Sequence, residues 1–285
     1  MLPRRLSLSS LAALTALLSL TTAHPVLANG IAIETNVQYV QVSATPPVTP
    51  TNYSEELSAG FTNPGDYSNA IVTYPGPGSP LTLPYVNSYE FYFYQTYATL
   101  SALHTAFPLG AYNFTVNAGN QPTYTGQIEY SADSFATSVP ALSAATFNGL
   151  NGLNSSAALS IAYNSFTTNT SNNANESGVS LFQIYDSTND AAVFSINSVP
   201  SSTGGILPAN TLLPNHTYTW ELAFEDNLSE PNANGTPATL ETEVITTGTF
   251  TTGPATPEPA TFALIGLGVA GLAIRRRARR RSRFE

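Results

Sequence analysis

Two pairs of adjacent carboxylates, Glu55-Glu56 and Glu225-Asp226, come closest to a catalytic arrangement in this chain. A glycoside hydrolase places two carboxyl groups about 5–10 Å apart on either side of one glycosidic bond. Neighbouring residues of a β-strand point to opposite faces of the sheet, so neither pair suits that reaction within a strand. The chain also has no cysteine and no Gly-x-Ser-x-Gly sequence, which common nucleophile sites use. We therefore predict that the protein is not an enzyme.

Oxygen-rich side chains cluster in two segments that we expect to be loops, one with Asp186 and Asp190 and one with Glu225 and Asp226. Loops that carry carboxylates can bind calcium, which takes about six to eight oxygen ligands. Neither segment has the spaced Asp-x-Asp-x-Asp-Gly pattern of a calcium-binding loop. We expect solvated turns here, with calcium binding as the alternative, and we expect no other cofactor.

An aromatic segment at residues 89–97 is the candidate for contact with a carbohydrate. Its pattern predicts a strand with Tyr89, Phe91 and Phe93 on one face and Glu90, Tyr92 and Tyr94 on the other. One face should belong to the core. If the other face is exposed, Tyr92 and Tyr94 form a surface on which sugar rings stack. A central strand that is covered on both faces is the alternative.

Three different elements follow one another in a fixed order near the carboxyl-terminal end. Pro257, Glu258 and Pro259 come first, and an apolar run follows at residues 262–274. A cluster of arginines comes last, with Arg275, Arg276, Arg277, Arg279, Arg280 and Arg281. This order resembles the PEP-CTERM sorting signal. The resemblance implies an exported protein that is held in a bacterial inner membrane, cut near Pro-Glu-Pro by an exosortase-type membrane protease, and delivered to the cell surface or an exopolysaccharide matrix.

The apolar run is short for a membrane span, because crossing about 30 Å of hydrocarbon takes about 20 helical residues. It lengthens if Ala260 and Thr261 join it and if the arginines snorkel toward the headgroups. Arginine stays on the cytoplasmic side. We therefore predict a single transmembrane helix with the arginine cluster inside and the preceding residues outside. An anchor that is never cut is the alternative.

The amino-terminal residues also predict export. Arg4 and Arg5 precede an apolar stretch at residues 6–20, and Val26-Leu27-Ala28 resembles a small-x-small cleavage site. We predict a signal peptide at residues 1–28 with cleavage after Ala28, and Ala23 is the alternative position.

Positive charge is confined to these two ends. The nine basic residues are all arginines that lie there, so residues 29–257 contain no Lys and no Arg. The same segment holds every carboxylate of the chain except Glu258 and Glu285. Nucleic-acid binding relies on cationic side chains that displace counterions from phosphates, and phosphoryl transfer and the gripping of acidic sugars by arginine need cations as well. The composition excludes these function classes for the segment.

Short β-rich segments separated by Pro, Gly, Asn and Ser clusters run through residues 29–253, with no long segment of helical period. Strands are predicted at residues 31–42, 89–97, 112–116, 124–130, 157–163, 179–185, 192–196, 217–224 and 239–247. The one helical candidate covers residues 96–106. The pattern predicts an all-β protein, either a sandwich or a barrel.

A weak internal repeat aligns residues 107–116 with residues 213–222, with a proline, a tyrosine, a second aromatic residue and a final aliphatic residue at the same spacing. Leu212-x-Pro214-x-x-x-Tyr218 resembles the tyrosine corner of fibronectin type III and immunoglobulin-like sandwiches, in which the tyrosine hydroxyl bonds back to the preceding connection. We expect one or two such units, at residues 29–137 and 138–253, followed by the sorting segment at residues 254–285.

These observations predict an exported, non-enzymatic protein of the cell envelope or the exopolysaccharide matrix, which passes through a membrane-anchored stage. The alternative is a secreted carbohydrate-binding or polysaccharide-active protein that uses the β-sandwich as its scaffold.

Overall fold

The computed structural model describes residues 30–87, 89–167, 176–231 and 237–254. Fourteen strands and two short helices follow one another in these ranges: β1 (Gly30–Val40), β2 (Asn52–Gly60), β3 (Tyr67–Thr73), β4 (Leu81–Leu83), β5 (Tyr85–Asn87), β6 (Glu90–Tyr97), α1 (Leu100–Ala106), β7 (Gly110–Ala118), β8 (Tyr124–Tyr130), α2 (Ala144–Leu150), β9 (Leu159–Ala162), β10 (Glu176–Asp186), β11 (Ala191–Ser198), β12 (Gly204–Leu207), β13 (Thr217–Pro231) and β14 (Pro237–Thr251). The all-β prediction is confirmed. The predicted signal peptide and transmembrane helix lie outside the described residues.

The strands form one large sheet and two small ones. The large sheet has eight strands in the order β11-β10-β13-β14-β1-β2-β6-β5. Within the described ranges its one parallel pair is β1 with β14, and its other ladders are antiparallel. A four-stranded sheet has the order β4-β3-β7-β8, and β9 pairs with β12 in a two-stranded sheet.

Two hydrophobic cores lie side by side on one face of the large sheet. The first core is closed by the four-stranded sheet and α1, and it includes Ile33 of β1 and Leu240 of β14. The second core is closed by α2 and the β9–β12 pair, and it includes Val37 and Val244 of the same two strands. Alternate residues of a strand share one face, so β1 and β14 each contribute to both cores. This packing of sheet on sheet confirms the predicted sandwich class.

The tyrosine corner predicted at Tyr218 is present, and Tyr112 in the aligned segment makes a similar hydrogen bond that was not predicted. The hydroxyl of Tyr218 accepts a hydrogen bond of 2.8 Å from the backbone N–H of Leu213. The hydroxyl of Tyr112 donates a hydrogen bond of 2.9 Å to the carbonyl oxygen of Pro108. Both tyrosines are buried, and each ties the start of its strand to the preceding connection.

The helix that was predicted at residues 96–106 is observed only as α1, Leu100–Ala106, because the strand β6 continues through Tyr97. Thr99 caps α1 by accepting a hydrogen bond of 3.1 Å from the N–H of Ala102. The division of the chain at residue 138 stays a prediction. The large sheet takes strands from both predicted units, since β14 lies beside β1.

Candidate functional site

The predicted sorting residues lie beyond the part of the chain that the structure describes. The last described residue is Pro254, which closely follows β14. Pro257, Glu258, Pro259, the apolar run and the arginine cluster come after it, and Ala28 precedes the first described residue. Their sorting roles therefore stay predictions. In the described ranges, neither α1 nor α2 is long and apolar enough to cross a membrane.

Asp186 and Asp190 lie at the turn between β10 and β11. The Oδ1 atom of Asp186 accepts a hydrogen bond of 2.8 Å from the N–H of Thr188 and lies 2.9 Å from Nε2 of His216. The hydrogen bond with His216, and then that with Thr188, lowers the pKa of Asp186. Asp190 has a left-handed φ of 54° and donates its N–H to the carbonyl oxygen of Asp186. The Asp186 carboxylate thus serves to hold the turn together.

The acidic segment at residues 225–230 was predicted to be a loop, and this prediction was wrong because the segment belongs to a strand. Glu225 and Asp226 belong to β13, which pairs with β10 as far as Leu228 and with β14 as far as Pro231. Pairing on both sides outweighs the low strand propensity of Asp, Asn and Glu. Glu225 lies opposite Glu243, and the buried Asp226 lies opposite Thr242 on the other face.

The four residues considered for calcium do not come together in one site. The ladder pairs Asp186 with Tyr218 and Glu225 with Val179. The two places are therefore separated by the length of β10 from Val179 to Asp186, which is about 23 Å at about 3.3 Å per residue. No three acidic or histidine side chains of the described residues are close enough to hold a metal ion.

The strand β6 has the two faces that its alternation predicted, except that Tyr89 precedes the strand and is 45% exposed. Phe91 is buried in the first core and Phe93 packs against that core. On the other face the Tyr92 hydroxyl donates a hydrogen bond to Oε2 of Glu56, and Tyr94 is 36% exposed. Tyr94 therefore presents the more open ring. The role of Tyr92 and Tyr94 in sugar stacking stays a prediction.

Six glutamates share the face of the large sheet that lies opposite the two cores. We call this surface the acidic face, and its members are Glu34, Glu56, Glu221, Glu225, Glu241 and Glu243. The helices and the small sheets that the structure describes contribute to the two cores on the other face. Sequence reasoning singled out Glu56 and Glu225 and missed the other four. The available signal was the period of two in Glu34-x-Asn36 and Glu241-x-Glu243.

The register of the strands places like charges directly opposite one another on the acidic face. Glu34 of β1 lies between Glu56 of β2 and Glu241 of β14. Glu225 of β13 lies opposite Glu243 of β14. Side chains in such positions have Cβ atoms about 4.5–5.5 Å apart, and like charges there destabilise the sheet. A proton or a cation would relieve this repulsion.

Burial raises the pKa of two glutamates of the acidic face. Glu221 and Glu243 are 2% and 3% exposed. Burial, followed by the charges of Glu225 and Glu34, raises the pKa of Glu221 to about 7. Burial also raises the pKa of Glu243 well above its ordinary value, and the charge of Glu34 is the next largest cause. Both residues therefore favour the protonated form more than an exposed glutamate does.

Asn36 lies among these carboxylates and is 2% exposed. Its Nδ2 atom donates hydrogen bonds to Oε1 of Glu34 at 2.8 Å and to Oε1 of Glu56 at 3.1 Å. Its Oδ1 atom and Oε1 of Glu221 are buried without a hydrogen-bond partner among the described residues. The acidic face thus contains buried oxygen acceptors that no described donor satisfies.

Glu55 is buried on the opposite face, where it lies beside Thr35 at the boundary of the two cores. Its Oε2 atom accepts a hydrogen bond of 2.8 Å from Oγ1 of Thr35. Burial is the largest cause that raises the pKa of Glu55 well above its ordinary value. Glu55 and Glu56 therefore face opposite sides of the sheet, as do Glu225 and Asp226. Neither pair forms a catalytic pair of carboxyl groups.

Comparison with family models supports the sorting signal. Residues 255–277 match the model of the PEP-CTERM protein-sorting motif. This match confirms the resemblance that the Pro-Glu-Pro sequence, the apolar run and the arginine cluster indicated. It covers only the carboxyl-terminal part of the chain. No curated protein matched the sequence.

Several solved structures share a distant likeness with this chain. A structure on host cell surface retention of a 1.5-MDa bacterial ice-binding adhesin is 13% identical, with 80% of this chain and 66% of that chain covered and a TM-score of 0.23. The BSP domain of a biofilm associated protein is 12% identical over 79% of this chain and 30% of that chain, with a TM-score of 0.22. The chicken CNTN1 FN1-FN3 domains are 13% identical, with 77% of this chain and 68% of that chain covered and a TM-score of 0.25. The chain thus spans less than two thirds of the length of the first two structures.

Proposed function

We propose that this chain is an exported, non-enzymatic protein of the bacterial cell envelope or the exopolysaccharide matrix. In this proposal a signal peptide at residues 1–28 directs export, and residues 262–274 hold the protein in the inner membrane as a single helix. An exosortase-type membrane protease then cuts near Pro257-Glu258-Pro259 and releases the protein to the cell surface. The observation that carries the proposal is the match of residues 255–277 to the PEP-CTERM protein-sorting motif.

The position of the motif relative to the fold supports this proposal. β14 ends at Thr251 and pairs with β13 along its whole length and with β1 as far as Thr247. The motif begins only a few residues later. A cut near Pro257 therefore removes the apolar run and the arginines without removing any described strand, so the released protein keeps both cores.

The placement of the carboxylates supports a role without catalysis. Both adjacent pairs, Glu55-Glu56 and Glu225-Asp226, point to opposite faces of the sheet. Two carboxyl groups that act on one glycosidic bond have to flank it from the same cleft. The described residues offer no such arrangement from these pairs.

A carbohydrate-binding protein is the second candidate, and the exposed ring of Tyr94 is the observation that favours it. Tyr94 lies on the same face as Tyr92 and Glu56. Binding and turnover of a panel of polysaccharides by the wild type, Tyr94→Ala and Glu225→Gln test this candidate. Binding that depends on Tyr94 would favour a lectin-like role, and turnover that depends on Glu225 would favour an enzyme.

The mass of the protein recovered from cells and from the medium tests the sorting proposal. We expect a surface or medium species that starts at Asn29 and lacks the arginine cluster. Replacing Pro257, Glu258 and Pro259 by alanine should leave the cluster attached, because the protease no longer recognises the site. Pro46→Ala in the exposed connection after β1 is the matched control and should be processed normally. A surface-exposed form that keeps residues 275–285, or normal cutting of the triple variant, would contradict the proposal.

A further inference from the structure

We propose that the acidic face binds a calcium ion across β1, β14 and β13, with Glu243, Glu225 and the amide oxygen of Asn36 as its protein ligands. Of the four calcium candidates in the sequence this site uses only Glu225, and its other two ligands, Glu243 and Asn36, come from neighbouring strands. It also goes beyond the proposed function, because neither export nor surface location requires a metal ion.

The register of the ladder brings the three ligands into one row. Asn36 of β1 lies opposite Glu243 of β14, and Glu243 lies opposite Glu225 of β13. Adjacent strands are about 4.8 Å apart, so β1 and β13 are separated by about 10 Å. The side chains of Asn36 and Glu225 can both lean toward Glu243 over this distance. An ion above Glu243 would therefore meet two carboxylates and one amide oxygen.

The amide of Asn36 has one satisfied atom and one unsatisfied atom. Its Nδ2 atom is held by Glu34 and Glu56, which fixes the direction of the opposite atom, Oδ1. That oxygen is buried and has no hydrogen-bond partner among the described residues. A buried acceptor without a donor is unfavourable, and a bound cation would satisfy it. This observation, together with the carboxylates of Glu225 and Glu243, points to a cation.

The kind of cation follows from the ligand atoms. All three ligands are oxygens, which hard divalent cations prefer over nitrogen or sulfur ligands. Magnesium needs a near-ideal octahedron with short bonds, whereas calcium accepts irregular geometry and about six to eight oxygens. Three ligands on a fixed ladder, completed by water, suit calcium better. A site with two carboxylates is also consistent with the lack of any described cluster of three acidic or histidine ligands.

The charges of the face give calcium a further role in the fold. Glu225 and Glu243 oppose each other across adjacent strands, and an ion between them replaces repulsion by two attractions. Residues 29–257 contain no Lys or Arg, so this segment supplies no fixed cation that could take the same place. Calcium binding should therefore stabilise the β13–β14–β1 part of the sheet.

Terbium luminescence and thermal unfolding of the purified full chain test the site. Terbium replaces calcium at oxygen-rich sites, and a nearby tyrosine sensitises its emission. Tyr185 of β10 lies on the same face, two strands from Glu243 in the order β10-β13-β14. After treatment with a chelator, we expect tyrosine-sensitised emission that calcium displaces, and a melting temperature that rises with calcium up to about 10 mM, since extracellular calcium modules have dissociation constants of about 0.1–1 mM.

Variants of the ligands decide between this site and other sources of calcium binding. Glu243→Gln should weaken calcium binding at least about tenfold. Glu225→Gln, at a half-buried position, should weaken calcium binding several-fold. If Glu243→Gln does not fold, Glu225→Gln alone tests the site. Glu129→Gln, on the exposed side of β8, and Asp186→Asn, in the β10–β11 turn, are matched controls that should keep the wild-type response. The proposal is overturned if the wild type shows no response, if both ligand variants respond like the wild type, or if Asp186→Asn abolishes the response. The measurement uses purified protein, so its result does not depend on how the chain is sorted.

Discussion

Near neutral pH, Glu221 is buried in the sheet and close to the midpoint of its titration. It is 2% exposed, and its Oε1 atom has no hydrogen-bond partner among the described residues. Burial raises its pKa from 4.5 to about 7, and the charges of Glu225 and Glu34 add to this effect. Folding therefore favours the protonated side chain, and above neutral pH the fold has to carry a buried negative charge.

Replacing Glu221 by glutamine should change the dependence of stability on pH. The folded pKa lies above the unfolded one, so the favourable contribution of the protonated group is complete below about pH 4.5 and is lost as the pH rises toward 7. The two pKa values correspond to a loss of about 3 kcal/mol in the free energy of unfolding. Glu221→Gln should therefore gain stability relative to the wild type as the pH rises through this window. Urea unfolding at about pH 4 and about pH 8 in calcium-free buffer measures the gain, and Glu129→Gln serves as the exposed control. An equal difference at both pH values would contradict the prediction.

Single residues differ in how far their positions could be predicted from the sequence. Tyr218 was predictable, because its motif is local and its hydroxyl reaches only to Leu213. The cluster of Glu34, Glu241 and Glu243 was not, because it arises when β14 pairs with β1, two strands at opposite ends of the described chain. Alternation places such residues on one face of each strand, but it does not show which strands are neighbours.

At the scale of elements, the pair β13–β14 depends on one close approach. Trp220 of β13 lies opposite Gly248 of β14 and packs in the second core. A Cβ atom at Gly248 would lie 2.7 Å from three atoms of the indole ring. Glycine within a strand is typical of places where another group comes close to the backbone. The missing side chain thus makes room for the tryptophan.

Gly248→Ala should therefore displace the indole ring of Trp220. We expect a loss of about 1–3 kcal/mol in the free energy of unfolding, as for other substitutions that overpack a core. Trp220 is the single tryptophan of the chain, so its fluorescence reports the displacement directly as a shift of the emission maximum. Thr249→Ala, at the exposed neighbouring position of β14, should change neither stability nor emission by a comparable amount. If Gly248→Ala keeps the wild-type emission maximum and the wild-type stability, the added methyl group fits without displacing the indole ring of Trp220.

The sequence did not indicate every strand: β3, β4, β5 and β12 carry no charged residue and were not predicted, and charged residues hid β2 and the end of β13. β2 was not predicted, because Glu55 and Glu56 interrupt its apolar pattern, yet one of them faces each side of the sheet. β13 was predicted to end at residue 224, but it runs on to Pro231 through a polar segment. In both cases pairing with two neighbouring strands outweighs local propensity. β8, at Tyr124–Tyr130, was predicted with its observed bounds.

At the scale of the whole molecule, β1 and β14 connect the two cores. They form a parallel ladder from Ile31 to Val40, and each strand contributes apolar residues to both cores. The half-buried Tyr53 of β2 packs against both cores as well. Because these strands pack in both cores, unfolding of one core should destabilise the other. The first and the last strands that the structure describes thus bind the predicted units at residues 29–137 and 138–253 to one another.

Cutting the chain between these two predicted units should therefore not separate them. A protease site inserted after the exposed Thr137 allows cleavage of the folded protein, and we expect both fragments to elute together in gel filtration. They should part only in denaturant, because the β1–β14 ladder and the first core, which includes Leu240 of β14, hold them together. The same site inserted after Pro254 is the control, since no described strand follows it and its cleavage should release the carboxyl-terminal segment. If the fragments separate without denaturant and each has the circular dichroism spectrum of a folded protein, the shared strands do not hold the two fragments together.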